Sequence, residues 1–396
     1  MHVLVQLLKA CSSGLLSSRL VSQWPATKRF LTASFLTATV FTIRVLKVSV
    51  FKTRQFGAAS VGTHCMHTSA VLVLRCSIGV ILLLVLSACK NNDSEPTTSS
   101  DTIGLFTDQT INVAGQSRNY HLYLPENPAS ASIVFLLHGN SGSADQLLGL
   151  TRATAPYKVW LTLAANNNVI LVVPDGLNGS NNKQGWNDCR TDASTNPDSN
   201  DVEFLSSLLD AVQAEHSTAN AAVFSVGTSN GGMMTLRLAQ EMPERLSGIA
   251  VVVASKALNT ECIDSRVPLP LLIMNGTDDP ILPYEGGQID TDRGVVLSTG
   301  ELVDYWLNRN QANSTPMITQ FSDTNTSDNS TVTRFSYKDG SDNSLVEHYE
   351  IVNGGHTEPS ELERYGNLFK RIVGNQNGDF EMADEIWHFF SLQVSR

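Results

Sequence analysis

From about residue 119 onward, short unbroken apolar runs alternate with segments whose apolar residues recur at helical spacing. Residues 119–124 predict an early antiparallel strand. Residues 132–137, 169–173, 249–253 and 271–274 are continuous apolar stretches, as expected of strands covered on both faces. Residues 201–214 carry Val202, Leu205, Leu208, Leu209 and Val212 on one helical face, with Ser199 or Asn200 available as N-cap. Another buried strand is expected at 221–226 and a helix at 233–240. A two-stranded element follows at 331–337 and 345–351, and a final helix at 382–390. This alternation predicts an α/β fold built on one mostly parallel, doubly wound sheet, with no internal repeat.

The first 88 residues read differently. Nine of the 27 Lys and Arg precede Cys89, whereas the first acidic residue is Asp93, a one-sided balance typical of targeting sequence. The apolar stretch 78–86 is short for a membrane span and ends in Ser87-Ala88-Cys89. Leu86-Ser87-Ala88-Cys89 resembles the bacterial lipobox, in which the cysteine is lipidated and becomes the mature first residue. Residues 1–88 are therefore expected to be a targeting region. Within it, 66–88 form a compact signal peptide starting at Met66, and 1–65 read as a misassigned start. Residues 89–103 are expected to supply the lipidated Cys89 and a flexible tether, and 104–396 a single catalytic domain. The protein is expected to be exported, either anchored in the bacterial cell envelope through that lipid alone or secreted.

Past Cys89 the chain holds 18 Lys and Arg against 38 Asp and Glu, a net charge of −20. Such an acidic balance argues against nucleic acid and other polyanions as partners, and no obligate protein partner is evident. Outside the targeting region and Cys89, only Cys189 and Cys262 remain of the six cysteines; an even pair in an oxidising compartment predicts a disulfide. Residues 323–328 begin like a calcium loop. They lack the glycine at the sixth position, and Arg334 stands where a bidentate glutamate belongs. A solvated approach to the 331–351 hairpin is expected there, and neither metal nor cofactor.

The chemistry concentrates in Gly227-Thr228-Ser229-Asn230-Gly231, which fits the G-x-S-x-G nucleophile elbow and lies between an expected strand and an expected helix. A serine on so sharp a turn projects its hydroxyl above the sheet, and the N–H of Asn230 is free to face a developing oxyanion. The second donor is expected from the loop His138-Gly139-Asn140-Ser141-Gly142, as the N–H of Asn140, with His138 holding that loop. Ser229 needs a base, and three histidines follow it. His348 falls in an expected strand and His388 on the outer face of the last helix. His356, after Asn353-Gly354-Gly355, lies on a loop able to reach the elbow. The orienting acid is expected at the end of the 271–274 strand, where the residues leave Asp278 and Asp279 both open.

Together these stretches resemble the poly(3-hydroxybutyrate) depolymerase/feruloyl esterase group of α/β-hydrolases, of the bacterial lipoprotein kind. The resemblance also rests on Gly185-Trp186-Asn187-Asp188-Cys189, on Asp201-Val202-Glu203-Phe204-Leu205, on Gly276-Thr277-Asp278-Asp279-Pro280 and on Gly354-Gly355-His356-Thr357. It implies the α/β-hydrolase fold, Ser229 as nucleophile, His356 as base and, counting along its His-Gly-Thr-x-Asp pattern, Asp279 as the acid. Two positions depart from the pattern: Asn275 replaces the usual histidine of that turn, and Glu358 stands where a tryptophan often follows the catalytic histidine. Trp186 is expected to offer an aromatic wall for a phenolic acyl group, the alternative being that it packs beside Cys189. The activity implied is serine ester hydrolysis on feruloyl or acetyl esters of plant polysaccharide, or on short hydroxyalkanoate oligomers. Because the chain stops at Arg396 with no separate binding domain, solid polyester is the weaker expectation. The competing readings are a prolyl-oligopeptidase-like serine peptidase and, last, a non-catalytic binding lipoprotein.

Overall fold

The computed structural model describes residues 103–394 except 290, 291, 341 and 342. The targeting region, the Met66 start, the Cys89 lipid site and nearly all of the tether lie outside the described residues. The described residues fall in one compact unit, Ser100–Arg396, and among them no helix is long and apolar enough to cross a membrane.

Ten strands form the main sheet: β1 (Gly104–Val113), β2 (Gln116–Leu124), β3 (Ser132–Leu137), β4 (Val169–Pro174), β5 (Val223–Thr228), β6 (Gly248–Val252), β7 (Leu271–Gly276), β8 (Met317–Gln320), β9 (Thr331–Lys338) and β10 (Ser344–Val352). Their spatial order is β1-β2-β4-β3-β5-β6-β7-β10-β9-β8. The centre, from β4 to β10, is parallel throughout. Antiparallel pairs close both edges, β1 and β2 on one side and β9 and β8 on the other.

Seven helices accompany the sheet among the described residues: α1 (Ala144–Leu147), α2 (Val159–Asn167), α3 (Asp201–Glu215), α4 (Asn230–Glu241), α5 (Thr299–Asn310), α6 (Asn367–Val373) and α7 (Met382–Val394). Successive residues of a strand point to opposite faces, and here both faces are covered. Ile133, Phe135 and Leu137 of β3 pack with Leu208 of α3, Leu236 of α4 and Trp306 of α5. Val134 and Leu136 of the same strand pack with Trp160 of α2 and Phe389 and Phe390 of α7. That double burial is why the central strands read as unbroken apolar runs. Asn200 is the cap of α3, its side chain accepting from the N–H of Glu203.

Several elements differ from expectation. The strand expected at 221–226 runs two residues further, to Thr228, and α4 starts at Asn230 rather than at 233, so Ser229 is the whole of the turn between them. The 323–328 segment is not simply solvated. Asp328 is 4% exposed; its carboxylate accepts from the N–H groups of Ser330 and Gly378 and pairs with Arg364. β1, β8, α1, α2, α5 and α6 were not anticipated.

Candidate active site

The three residues of interest follow three parallel strands at their C-terminal ends, where open α/β sheets place their ligands: Ser229 after β5, Asp279 after β7 and His356 after β10. Ser229 has φ 52° and ψ −120°, a conformation an L-residue keeps only where its surroundings enforce it. The enforcement is close packing. A Cβ on Gly227 would collide with the carbonyl of Gly231, and one on Gly231 with the carbonyl of Leu137. The Ser229 Oγ lies 3.0 Å from Nε2 of His356. On the other side of the ring, Nδ1 is 2.7 Å from Oδ2 of Asp279. The remaining oxygen of Asp279 accepts from the N–H groups of Ile281 and Leu282, both at 2.8 Å. Asp278 is exposed and faces Thr277 instead. His356 is held from behind, its N–H bonded to the carbonyl of Val373 and that of Gly355 to Asn375. His348 lies buried within β10 and His388 is exposed on α7, neither in this group.

Above Ser229 passes the loop after β3. Ser141 N–H donates to the carbonyl of Gln184 and Gly142 N–H to that of Gly139. His138 is buried; its Nε2 accepts from Gly176 N–H at 3.0 Å, and its Nδ1 lies 2.8 Å from the carbonyl of Gly139. Burial lowers its pKa below the ordinary histidine value, so it serves as a neutral brace of the loop. Among the described residues, the N–H groups of Asn140 and Asn230 have no hydrogen-bond acceptor. Asn230 N–H is one of the unpaired donors at the start of α4. The Asn230 side chain is fully used elsewhere: Oδ1 accepts from Trp186 N–H, and Nδ2 donates to the carbonyl of Trp186 and to Asp188.

Trp186 is therefore not an aromatic wall for substrate. It is 0% exposed, and its indole N–H donates to the carbonyl of His138 at 2.8 Å. The ring packs under the loop it supports. The neighbouring motif residues are braces as well. Asp188 receives Arg190, Asn196 and Asn230. Asp201 receives Arg118, the N–H of Asn187 and Ser199. Cys189 and Cys262 are disulfide-bonded with a Cα–Cα distance of 5.6 Å, tying this loop to the segment before β7. Asn275 likewise clamps structure: its side chain exchanges hydrogen bonds with the backbone of Ala254 and donates to Thr299 of α5.

Ser229 and His356 open into a cavity of about 570 Å³. Glu358 lines it, accepting from Thr228 at 2.6 Å and from the Tyr365 hydroxyl at 2.7 Å. Glu358 is thus built into the cavity wall, where burial and its carboxylate both push the Tyr365 phenol well above the ordinary range. The Tyr157 hydroxyl is buried beside the same cavity with no hydrogen-bond partner among the described residues. Arg293 also lines the cavity. Sequence reasoning noticed Glu358 only as a departure from a pattern and missed Tyr157, Tyr365 and Arg293, which lie in loops and short helical turns without a motif.

The profile of the phospholipase/carboxylesterase family matches residues 120–293, a span that includes Ser229 and Asp279 and stops short of His356. The chain is 30% identical over 189 residues to the Nocardia uniformis subsp. tsuyamanensis protein named "Putative esterase NocK", covering 46% of this chain and 50% of that one. It is 29% identical over 193 residues to feruloyl esterase D of Neurospora crassa, with 47% and 61% covered. With feruloyl esterase C of Emericella nidulans the identity is 28% over 173 residues, with 43% and 58% covered. The chain thus spans between half and three-fifths of the length of these relatives. The acetyl xylan esterase structure from Aspergillus awamori overlaps 72% of this chain and 100% of its own at 13% identity and a TM-score of 0.44, too loose a likeness to argue from. Its own strand order and strained elbow give this chain the α/β-hydrolase fold, and its sequence is similar to the phospholipase/carboxylesterase family.

Proposed function

We propose that the protein is a serine carboxylic ester hydrolase. The observation that carries this reading is the continuous relay from Asp279 through His356 to Ser229, at 2.7 and 3.0 Å, beside two N–H groups that have no acceptor among the described residues. His356 Nε2 takes the proton of Ser229 as Oγ attacks the ester carbonyl carbon, and the carbonyl oxygen gains its negative charge facing Asn140 and Asn230. Collapse expels the alcohol, which leaves with the proton from His356. Water, deprotonated by the same ring, then attacks the acyl-enzyme and releases the acid and the free serine. Asp279 fixes the tautomer that leaves Nε2 unprotonated. The similarity to feruloyl esterases and to the phospholipase/carboxylesterase family supports esters over peptides. The substrates favoured are feruloyl or acetyl esters on polysaccharide and short hydroxyalkanoate oligomers. The Cys189–Cys262 disulfide suits an oxidising compartment, as an exported protein would meet.

A fluorophosphonate probe is expected to label the full chain at Ser229, and Ser229→Ala to abolish both labelling and ester turnover. Methyl ferulate, p-nitrophenyl acetate, a hydroxybutyrate trimer, a polymer film and a peptide anilide then rank the acyl groups. Wild-type turnover in Ser229→Ala would refute the mechanism, and faster cleavage of the anilide than of every ester would replace it with a peptidase.

A further inference from the structure

Arg293 lines both the large cavity and a smaller recess beside it, and Ser229 and His356 belong to both. Arg190, which shares the small recess, is already satisfied: Asp188 takes it at 2.9 and 2.7 Å, and its side chain is 4% exposed. The guanidinium of Arg293 has neither a hydrogen bond nor an ion pair among the described residues. Its backbone, in contrast, is braced. The Arg293 carbonyl accepts from Arg190 Nη1, Gly294 follows in the left-handed region at φ +82°, and Val295 N–H donates to Asp192. Among the described residues, a cation without a counter-charge thus lines the same recess as Ser229, in a chain whose net charge past Cys89 is −20. The opposite sign sits elsewhere on the same cavity wall, where Glu358 is fixed by Thr228 and Tyr365 and the buried Tyr157 hydroxyl has no hydrogen-bond partner among the described residues.

We infer that Arg293 is a specificity residue for esters that carry a free carboxylate. The inference rests on the ester hydrolase reading and narrows its substrate class. The planar guanidinium can take both oxygens of a carboxylate, while Glu358 repels that group from its own part of the cavity. The two charges together orient the substrate: its acidic group lies at Arg293, and an uncharged or hydroxylated end lies toward Glu358 and Tyr157. The chain's overall acidity repels large polyanions at long range, so the preference is for a small acidic ester.

The test compares two pairs of esters on the full chain. One pair puts the charge on the alcohol side, 4-carboxyphenyl butyrate against 4-carbamoylphenyl butyrate. The other puts it on the acyl side, p-nitrophenyl hydrogen succinate against p-nitrophenyl succinamate. In at least one pair, Arg293→Gln is expected to lower the ratio of kcat/KM values, charged over neutral, by about 10- to 100-fold, mainly through KM. Arg293→Lys should recover part of the ratio and Arg293→Glu invert it. A merely structural role would depress both members of a pair equally and leave the ratio alone. Unchanged ratios in both pairs, with the neutral esters still turned over, would overturn this inference while the ester hydrolase reading stands. Absence of all ester turnover together with no fluorophosphonate labelling would sink both.

Discussion

Asp279 uses its two carboxylate oxygens for different tasks, one receiving the His356 ring and the other the two N–H groups of Ile281 and Leu282. The second set locks the first in direction. Asp278, one position earlier, is exposed, and its N–H is bound to the carbonyl of Gly354. Asp279→Asn is therefore expected to lower turnover by about 10⁴-fold, since the imidazole loses the acceptor that fixes its tautomer. Asp278→Asn is expected to cost little. Steady-state kinetics of the two variants decides it, and a larger defect at Asp278 would reverse the assignment. That Ser229 and His356 would meet was legible from residue types and loop context alone, whereas which of the adjacent aspartates faces the ring came from a family pattern and is explained physically only by these N–H contacts. Trp186 was misread because a sequence does not distinguish an aromatic that lines a cavity from one that fills the space behind its wall.

At the level of elements, the sharpest signals came from strands buried on both faces, where nearly every residue is apolar and a polar one such as Asn275 has hydrogen-bond partners. The edge strand β1 escaped notice because it is only partly buried and its register slips between Phe106 and Gln109. Helix α5 carries a complete capping box, Ser298 with Glu301, which was present in the sequence and not read. The loop from Trp186 to Asp188 depends on Asn230 and Asp201, connections no local pattern reveals, and on the Cys189–Cys262 bond, which the even cysteine pair did predict. Replacing both cysteines by alanine is expected to cost about 2–4 kcal/mol of stability. It should also lower ester turnover, because the loop under Asn140, the proposed oxyanion donor, loosens. Intact mass with and without reductant, followed by urea unfolding, measures this; two free thiols in the unreduced protein would contradict the bond.

For the molecule as a whole, stability is expected to depend on pH through His348. Burial in β10 holds its pKa down to about 4, from the ordinary 6.5. Below pH 6.5 the unfolded chain binds a proton there that the folded protein refuses. This contribution is intact above pH 6.5, declines as pH falls and is spent near pH 4. The full span amounts to about 3 kcal/mol. Urea unfolding at pH 7.5 and 4.5 should show a smaller loss for His348→Gln than for wild type; equal losses would show that His348 is not the titrating group.

The relay joins positions far apart along the chain, Ser229 to His356 across 127 residues and His356 to Asp279 across 77. Each partner takes its place only when a separate strand has docked, so the geometry has a high contact order and cannot form locally. A nascent chain carries its serine out of the ribosome long before the base exists. An intermediate lacking β10 would hold a correctly bent elbow and an inert hydroxyl. If the proposed ester hydrolysis holds, turnover appears only after β10 has docked, and a chain without it leaves the esters around it intact.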